Sequence, residues 1–182
     1  MSTPRLYLAG KIGKNDWRHD LVPGLRNHLW ATGAIDSPSF SYVGPFFVSC
    51  DHGCSHVPNG HGAVSDGGCE SGLKQSDVIR HNMAALAAAD LVFAYITATS
   101  CYGTLIEIGW ALRDGKRVVI AFAPRVPKDD FWYAAMQADA VHTDVSPRRM
   151  KCLLSDELQK TKPRAGTRGQ YTREQQHEYY QT

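Results

Sequence analysis

No apolar run in this chain approaches the ~20 residues that would carry a helix across a membrane. The start, Met-Ser-Thr-Pro-Arg, lacks the charged and apolar pattern of a secretion signal and leads at once into the strand-like Leu6-Tyr-Leu-Ala9. A cytoplasmic location is the expectation. There are no internal repeats. The cysteines number five, an odd count, and three of them (Cys50, Cys54 and Cys69) fall in one loop, so they do not read as a disulfide framework. A strong charge of either sign is missing too. The formal net charge is +2 but uneven, and the part before Arg148 carries −2, which argues against a core built to bind nucleic acid. From Arg148 onward, however, there are eight Lys/Arg against four acids, which marks a basic, solvated end.

What is present is enough for one domain. The chain has 182 residues and 43% hydrophobic content, ordinary for a globular protein. Short apolar runs alternate with helical patterns. Strands are expected at Arg5–Ala9, around Phe40–Val43, and at Leu91–Ile96, Arg117–Phe122 and Ala140–His142. Helices are expected from Asp16 to about Trp30, with Pro23-Gly24 as a kink point, and from Asp77 to Ala89. The latter puts Ile79, Met83, Leu86 and Ala87 on one side. Further helices are expected after Gly103-Thr104, over the aromatic segment Asp129–Ala138, and from Pro147 to Gln159. The pattern predicts an α/β three-layer fold with four or five mostly parallel strands. It gives a domain over 1–159, with an inserted loop at 46–76 and a polar tail at 160–182 that looks flexible.

The most informative stretch is Ser100-Cys-Tyr-Gly-Thr-Leu-Ile-Glu107-Ile-Gly-Trp-Ala111. It lies between two strand-like runs, so its loop opens at the carboxyl end of a strand, where parallel sheets bind ligands. Glu107 is expected in the first turn of the helix, where the helix dipole would favour its ionised form. An ionised carboxylate there suits a nucleophile. A solvated Glu, or one satisfying helix-start amides, fits the position as well. Thr99, Ser100, Gly103 and Thr104 at a helix start suit an anion, or serve as plain caps.

Tyr7-Leu-Ala-Gly10, Ala89-Asp90 and Gly103-Thr-Leu-Ile-Glu107-Ile-Gly-Trp-Ala111 together resemble the nucleoside 2-deoxyribosyltransferase family, which includes related nucleotide N-glycosidases. The resemblance covers roughly residues 5–145. It implies a flavodoxin-like sheet and cleavage of the bond between a nucleobase and its sugar. It gives Glu107 as the nucleophile that forms a covalent sugar ester, later taken by a second base or by water. Tyr7 would orient that nucleophile, and Gly10 would let the chain pass close to the ligand.

Two positions depart from the family. An Asp that often contacts the base is Asn82 here; an amide can hydrogen-bond a base edge but cannot deliver a proton, so either the base is read differently, or His81 or Asp77 supplies the acid, or the activity is altered or lost. An Asp for the sugar 5′-hydroxyl is Cys101 here, and with Ser100 and Thr104 nearby this suits a nucleoside 5′-monophosphate. The resemblance implies no required cofactor. It also implies a homo-oligomer, with Phe131-Trp132-Tyr133 extending towards a neighbouring subunit. A non-catalytic nucleotide-sensing module on the same fold is the alternative from another class.

The loop holding Cys50, Asp51, His52, Cys54, His56, His61 and Cys69 is dense in metal-ligand types and is a candidate structural zinc site. The rival is a lid whose Asp51, His52 and His56 reach the base, with Phe46 or Phe47 stacking on it.

Overall fold

The computed structural model describes residues 3–13, 16–27, 33–45, 64–65, 68–69 and 75–161. Nearly all of the Cys/His loop, Phe46 included, and the tail from 162 lie outside the described residues.

Five strands run parallel, and their sequences are apolar along most of their length, as strands covered on both faces must be. These are β1 (Arg5–Ala9), β3 (Ser41–Gly44), β6 (Leu91–Ile96), β7 (Arg117–Phe122) and β8 (Ala140–His142). A two-residue strand, β2 (Ile35–Asp36), adds antiparallel to β3 at one edge. The spatial order is β2-β3-β1-β6-β7-β8. A two-stranded hairpin, β4 (Val64–Ser65) with β5 (Gly68–Cys69), forms a separate sheet. The six-stranded sheet exceeds the expected four or five strands by that edge strand, which is too short for sequence periodicity to reveal.

Side chains of alternate strand residues point to opposite faces, and two cores result. Leu6, Leu8, Phe93, Tyr95, Val119 and Ala121 face one layer. That layer holds α1 (Arg18–Leu21) and α5 (Pro147–Lys160). Tyr7, Ala9, Val92, Ala94, Ile96 and Ile120 face the other, covered by α2 (Gln75–Ala88) and α3 (Tyr102–Arg113). This is the expected three-layer α/β sandwich. Asp90 ties α2 and β6 to the start of β1. Its carboxylate accepts the Arg5 N–H at 2.8 Å, and its own N–H donates to the Arg5 carbonyl at 2.8 Å.

Three helices differ from expectation. The helix expected from Asp16 to Trp30 is one turn, α1, followed by a 3-10 turn at Pro23–Asn27. Proline lacks the N–H and clashes with the preceding turn, so it ends the helix rather than bending it. α2 begins at Gln75, and its predicted face does not form. Leu86 is buried, with Ala85 and Ala89 beside it, while Ile79, Met83 and Ala87 are exposed. Among residues 79–88, the packing on the sheet side comes from Ala85 and Leu86. The aromatic segment splits into a 3-10 turn at Lys128–Phe131 and α4 (Trp132–Gln137).

Candidate active site

From β1 the chain moves to β3 on one side, and later returns to β6 on the other side of β1. The direction of winding therefore reverses between β1 and β6, and it is outside the carboxyl ends of the strands at such a point that open α/β sheets take their ligands. Tyr7 comes to this place from β1, and Glu107 from α3, the helix that follows β6.

The Tyr7 hydroxyl donates to Glu107 Oε1 at 2.5 Å, joining residues one hundred positions apart. Tyr7 is fully buried. Burial, and then the charge of Glu107, hold its phenol well above the usual value, so it keeps its proton and acts as a fixed donor. Burial also raises the Glu107 carboxyl above 4.5. The Tyr7 hydrogen bond and the positive charge of Arg18 pull it back. The pair is therefore a partly desolvated carboxylate whose ionised form is held by one hydroxyl and one cation.

This corrects the helix-dipole expectation. α3 starts at Tyr102, and its first turn contains no acid. Glu107 lies in the second turn, beyond the short reach of the helix N-terminus. Its environment is set by burial and by neighbours from β1 and α1, which local spacing does not disclose.

The other expected residues lie on the segments around this pair. Ser100 Oγ accepts a hydrogen bond from Lys11 Nζ at 3.0 Å. Cys101 is buried at the start of α3. Burial raises its thiol, with Lys11 opposing that. Gly103 is exposed, and a methyl group there would meet nothing within 4 Å. Thr104 is buried in the first turn of the helix. Asn82 is half-buried on α2, and His81 is exposed. At Gly10 the structure gives a reason for glycine within the protein itself. A Cβ there would come within 2.8 Å of the Tyr95 carbonyl, 3.1 Å of Arg18 and 3.2 Å of Trp17. The protein itself excludes a side chain at that position.

Sequence reasoning passed over two residues. Lys11 directly follows the glycine that ends β1, at the strand terminus where a lysine could have been noticed. Arg18 sits inside the four-residue apolar spacing of Trp17, Leu21, Leu25 and Leu29, where a lone cation reads as part of the polar face. It is fully buried and paired with buried Asp16.

Among the described residues no group of three or more His, Cys, Asp or Glu is arranged to hold a metal ion. Phe46, Cys50, Asp51, His52, Cys54, His56 and His61, on which the zinc and lid expectations rest, lie outside the described residues. No helix among the described residues is long and apolar enough to cross a membrane. Phe131 is buried against Phe122, with ring centroids 5.6 Å apart. Trp132 and Tyr133 are exposed.

No curated protein matches the chain. Residues 3–124, more than half of the sequence, match a family described as nucleoside 2-deoxyribosyltransferase like.

Proposed function

Because the chain belongs to the nucleoside 2-deoxyribosyltransferase-like family, we propose that it cleaves the N-glycosidic bond of a nucleoside or nucleoside 5′-monophosphate through a covalent ester on Glu107. The observation that carries this reading is the Tyr7–Glu107 hydrogen bond at the point where the winding of the sheet reverses.

One Glu107 oxygen attacks the anomeric carbon. The bond from that carbon to the base nitrogen breaks, and its electron pair leaves with the base, which takes up a proton. A second base, or water, then attacks the same carbon and gives up a proton, and the Glu107 carboxylate departs unchanged. Tyr7 holds the carboxylate in place through both steps, and the negative charge of Glu107 stabilises the oxocarbenium-like transition states. Asn82 and the 46–62 segment read the base. The acid that protonates it is His81 or Asp77. No cofactor enters these steps.

At the sugar 5′ end, Lys11, Ser100 and the start of α3 offer a cation, a hydroxyl and the first helix amides. Cys101 stands there in place of a carboxylate, so this end suits a 5′-phosphate. Lys11→Met is expected to raise KM for a 5′-monophosphate roughly tenfold, from the loss of one charge-assisted hydrogen bond, and to leave KM for the matching nucleoside little changed. Equal effects on both substrates would remove the phosphate from this reading.

The same proposal includes a homo-oligomer. Trp132, Tyr133 and Met136 of α4 are 60%, 67% and 80% exposed, and Tyr102 and Ile106 of α3 are exposed as well. Apolar groups of this size on the surface of α3 and α4 suit a second copy of the chain.

The test is base release, followed by chromatography, from ribo- and deoxynucleosides and their 5′-monophosphates, with and without a second base. Exchange of base indicates a transferase. Release without an acceptor indicates a hydrolase. Ligand binding without any release from the panel contradicts the enzyme reading and leaves a nucleotide sensor.

A further inference from the structure

We propose that Arg18 is a positioning residue for Glu107: its guanidinium fixes the carboxyl end of β1, from which Tyr7 reaches the carboxylate. The proposal rests on the reading of Glu107 as the reacting group.

The geometry is specific. Arg18 Nε donates to the Leu8 carbonyl at 2.8 Å, and Nη2 donates to the Gly10 carbonyl at 2.7 Å. Those carbonyls lie one and three residues beyond Tyr7, so the guanidinium ties down the backbone that aims it. Nη1 donates to both oxygens of Asp16 at 2.9 Å. Asp16 in turn accepts the N–H groups of Gly13 at 3.2 Å and of Arg18 itself at 3.0 Å, which closes the segment after β1 onto the start of α1. The guanidinium carbon stands 4.5 Å from the centre of the Trp17 ring, a cation–π arrangement. A lysine has its three donors on one nitrogen and could not span acceptors that Arg18 reaches from three separate nitrogens.

Stability alone does not account for this arrangement. A buried ion pair often contributes no more than apolar groups of the same shape, because removing both charges from water offsets their attraction. What the charge acts on is nearby. Arg18 favours the ionised form of Glu107, and it opposes the rise that burial causes in Tyr7 and Tyr42. Among the described residues, its charge acts on Tyr7 from β1, Tyr42 from β3 and Glu107 from α3, beside its ion pair with Asp16.

The test is a carboxyl-carbon NMR titration of Glu107 in the full chain, alongside kcat and KM for base release. The double variant Asp16→Asn/Arg18→Gln removes the pair without leaving a buried charge alone. Its Glu107 midpoint is expected to move up, because the cation that favours the anion is gone and the backbone that aims Tyr7 is no longer tied. Arg18→Lys keeps the charge and loses the fork. Its midpoint should stay near that of the unaltered protein, while kcat falls roughly tenfold and KM holds, as misplacement of a reacting group predicts. An unmoved midpoint in the folded double variant overturns the proposal. If the double variant does not fold, Arg18→Lys decides: full kcat, or a loss confined to KM, overturns it. If the unaltered protein releases no base, the functional reading fails, while the titration still decides the role of Arg18.

Discussion

Tyr7 and Glu107 make the sharpest claim at the scale of single residues. Removing the Tyr7 hydroxyl takes away one hydrogen bond to a charged group, worth ~1.5–3 kcal/mol. Tyr7→Phe should therefore lower kcat by about tenfold to a hundredfold and leave the fold intact. Steady-state rates of base release check this, and an unchanged kcat would remove Tyr7 from the mechanism. The pH dependence follows from the raised carboxyl. Only ionised Glu107 attacks, and a pKa above the ordinary 4.5 means the protonated, inactive form persists to higher pH. The rate should therefore fall as pH drops through a midpoint above 4.5, and Tyr7→Phe should move that midpoint further up, because the lost hydrogen bond favoured the anion. A profile still flat at pH 4.5 contradicts the assignment. Both partners could be named from their motifs. The hydrogen bond between them could not, because contacts across one hundred positions depend on strand order. Lys11 and Arg18 escaped for a different reason: a lone cation beside a glycine or inside an amphipathic turn has no distinguishing periodicity.

At the scale of elements, the strands were legible and the helix limits less so. Continuous apolar runs such as Leu91–Ile96 and Arg117–Phe122 carry their own signal, since both faces are covered. α1 stops at Pro23 because local backbone chemistry overrides the four-residue spacing of Trp17, Leu21 and Leu25. α2 shows the opposite failure: its apolar spacing was real, but of Ile79, Met83, Leu86 and Ala87 it buries Leu86 alone. α5 is held by a feature that periodicity does not mark. Glu157 is fully buried. It pairs with Arg117 of β7, accepts from Lys160 Nζ at 2.7 Å, and lies 3.3 Å from His142 Nε2. Burial alone would push this carboxyl up, but Lys160 and Arg117 outweigh it and hold it low. A lowered acid contributes stability that is present above 4.5 and is lost as pH falls through the folded value. Glu157→Ala leaves Arg117 without its carboxylate and should cost about 3 kcal/mol, seen as a lower midpoint in denaturant. The deficit should shrink in acid, where the unaltered protein also loses the pair. A deficit that is small at neutral pH, or unchanged in acid, would show that the cluster does not anchor α5.

The whole molecule was legible as a class before its details. Alternating strands and helices implied a three-layer parallel fold, and the strand order then fixed where a ligand crevice must open. The edge strand β2 and the separate hairpin are too short to register in sequence. The exposed surface of α3 and α4 is a property of the assembled fold, since Phe131 turns inward while Trp132 and Tyr133 turn outward. Trp132→Glu together with Met136→Glu puts two charges on that surface. Sedimentation of the unaltered chain is expected to show an oligomer at micromolar concentration, and the double variant a monomer with an unchanged circular dichroism spectrum. A monomer in both cases refutes the oligomer.

The central claim is that Glu107 itself bonds to the sugar. The most direct measurement is mass spectrometry of the protein after incubation with a 2-fluoro nucleoside, whose electron-withdrawing substituent slows an oxocarbenium-like second step. One added sugar is expected, located by peptide fragmentation on Glu107 and absent from Glu107→Ala, which also releases no base. An adduct on another residue, or base release by Glu107→Ala equal to that of the unaltered chain, would contradict it.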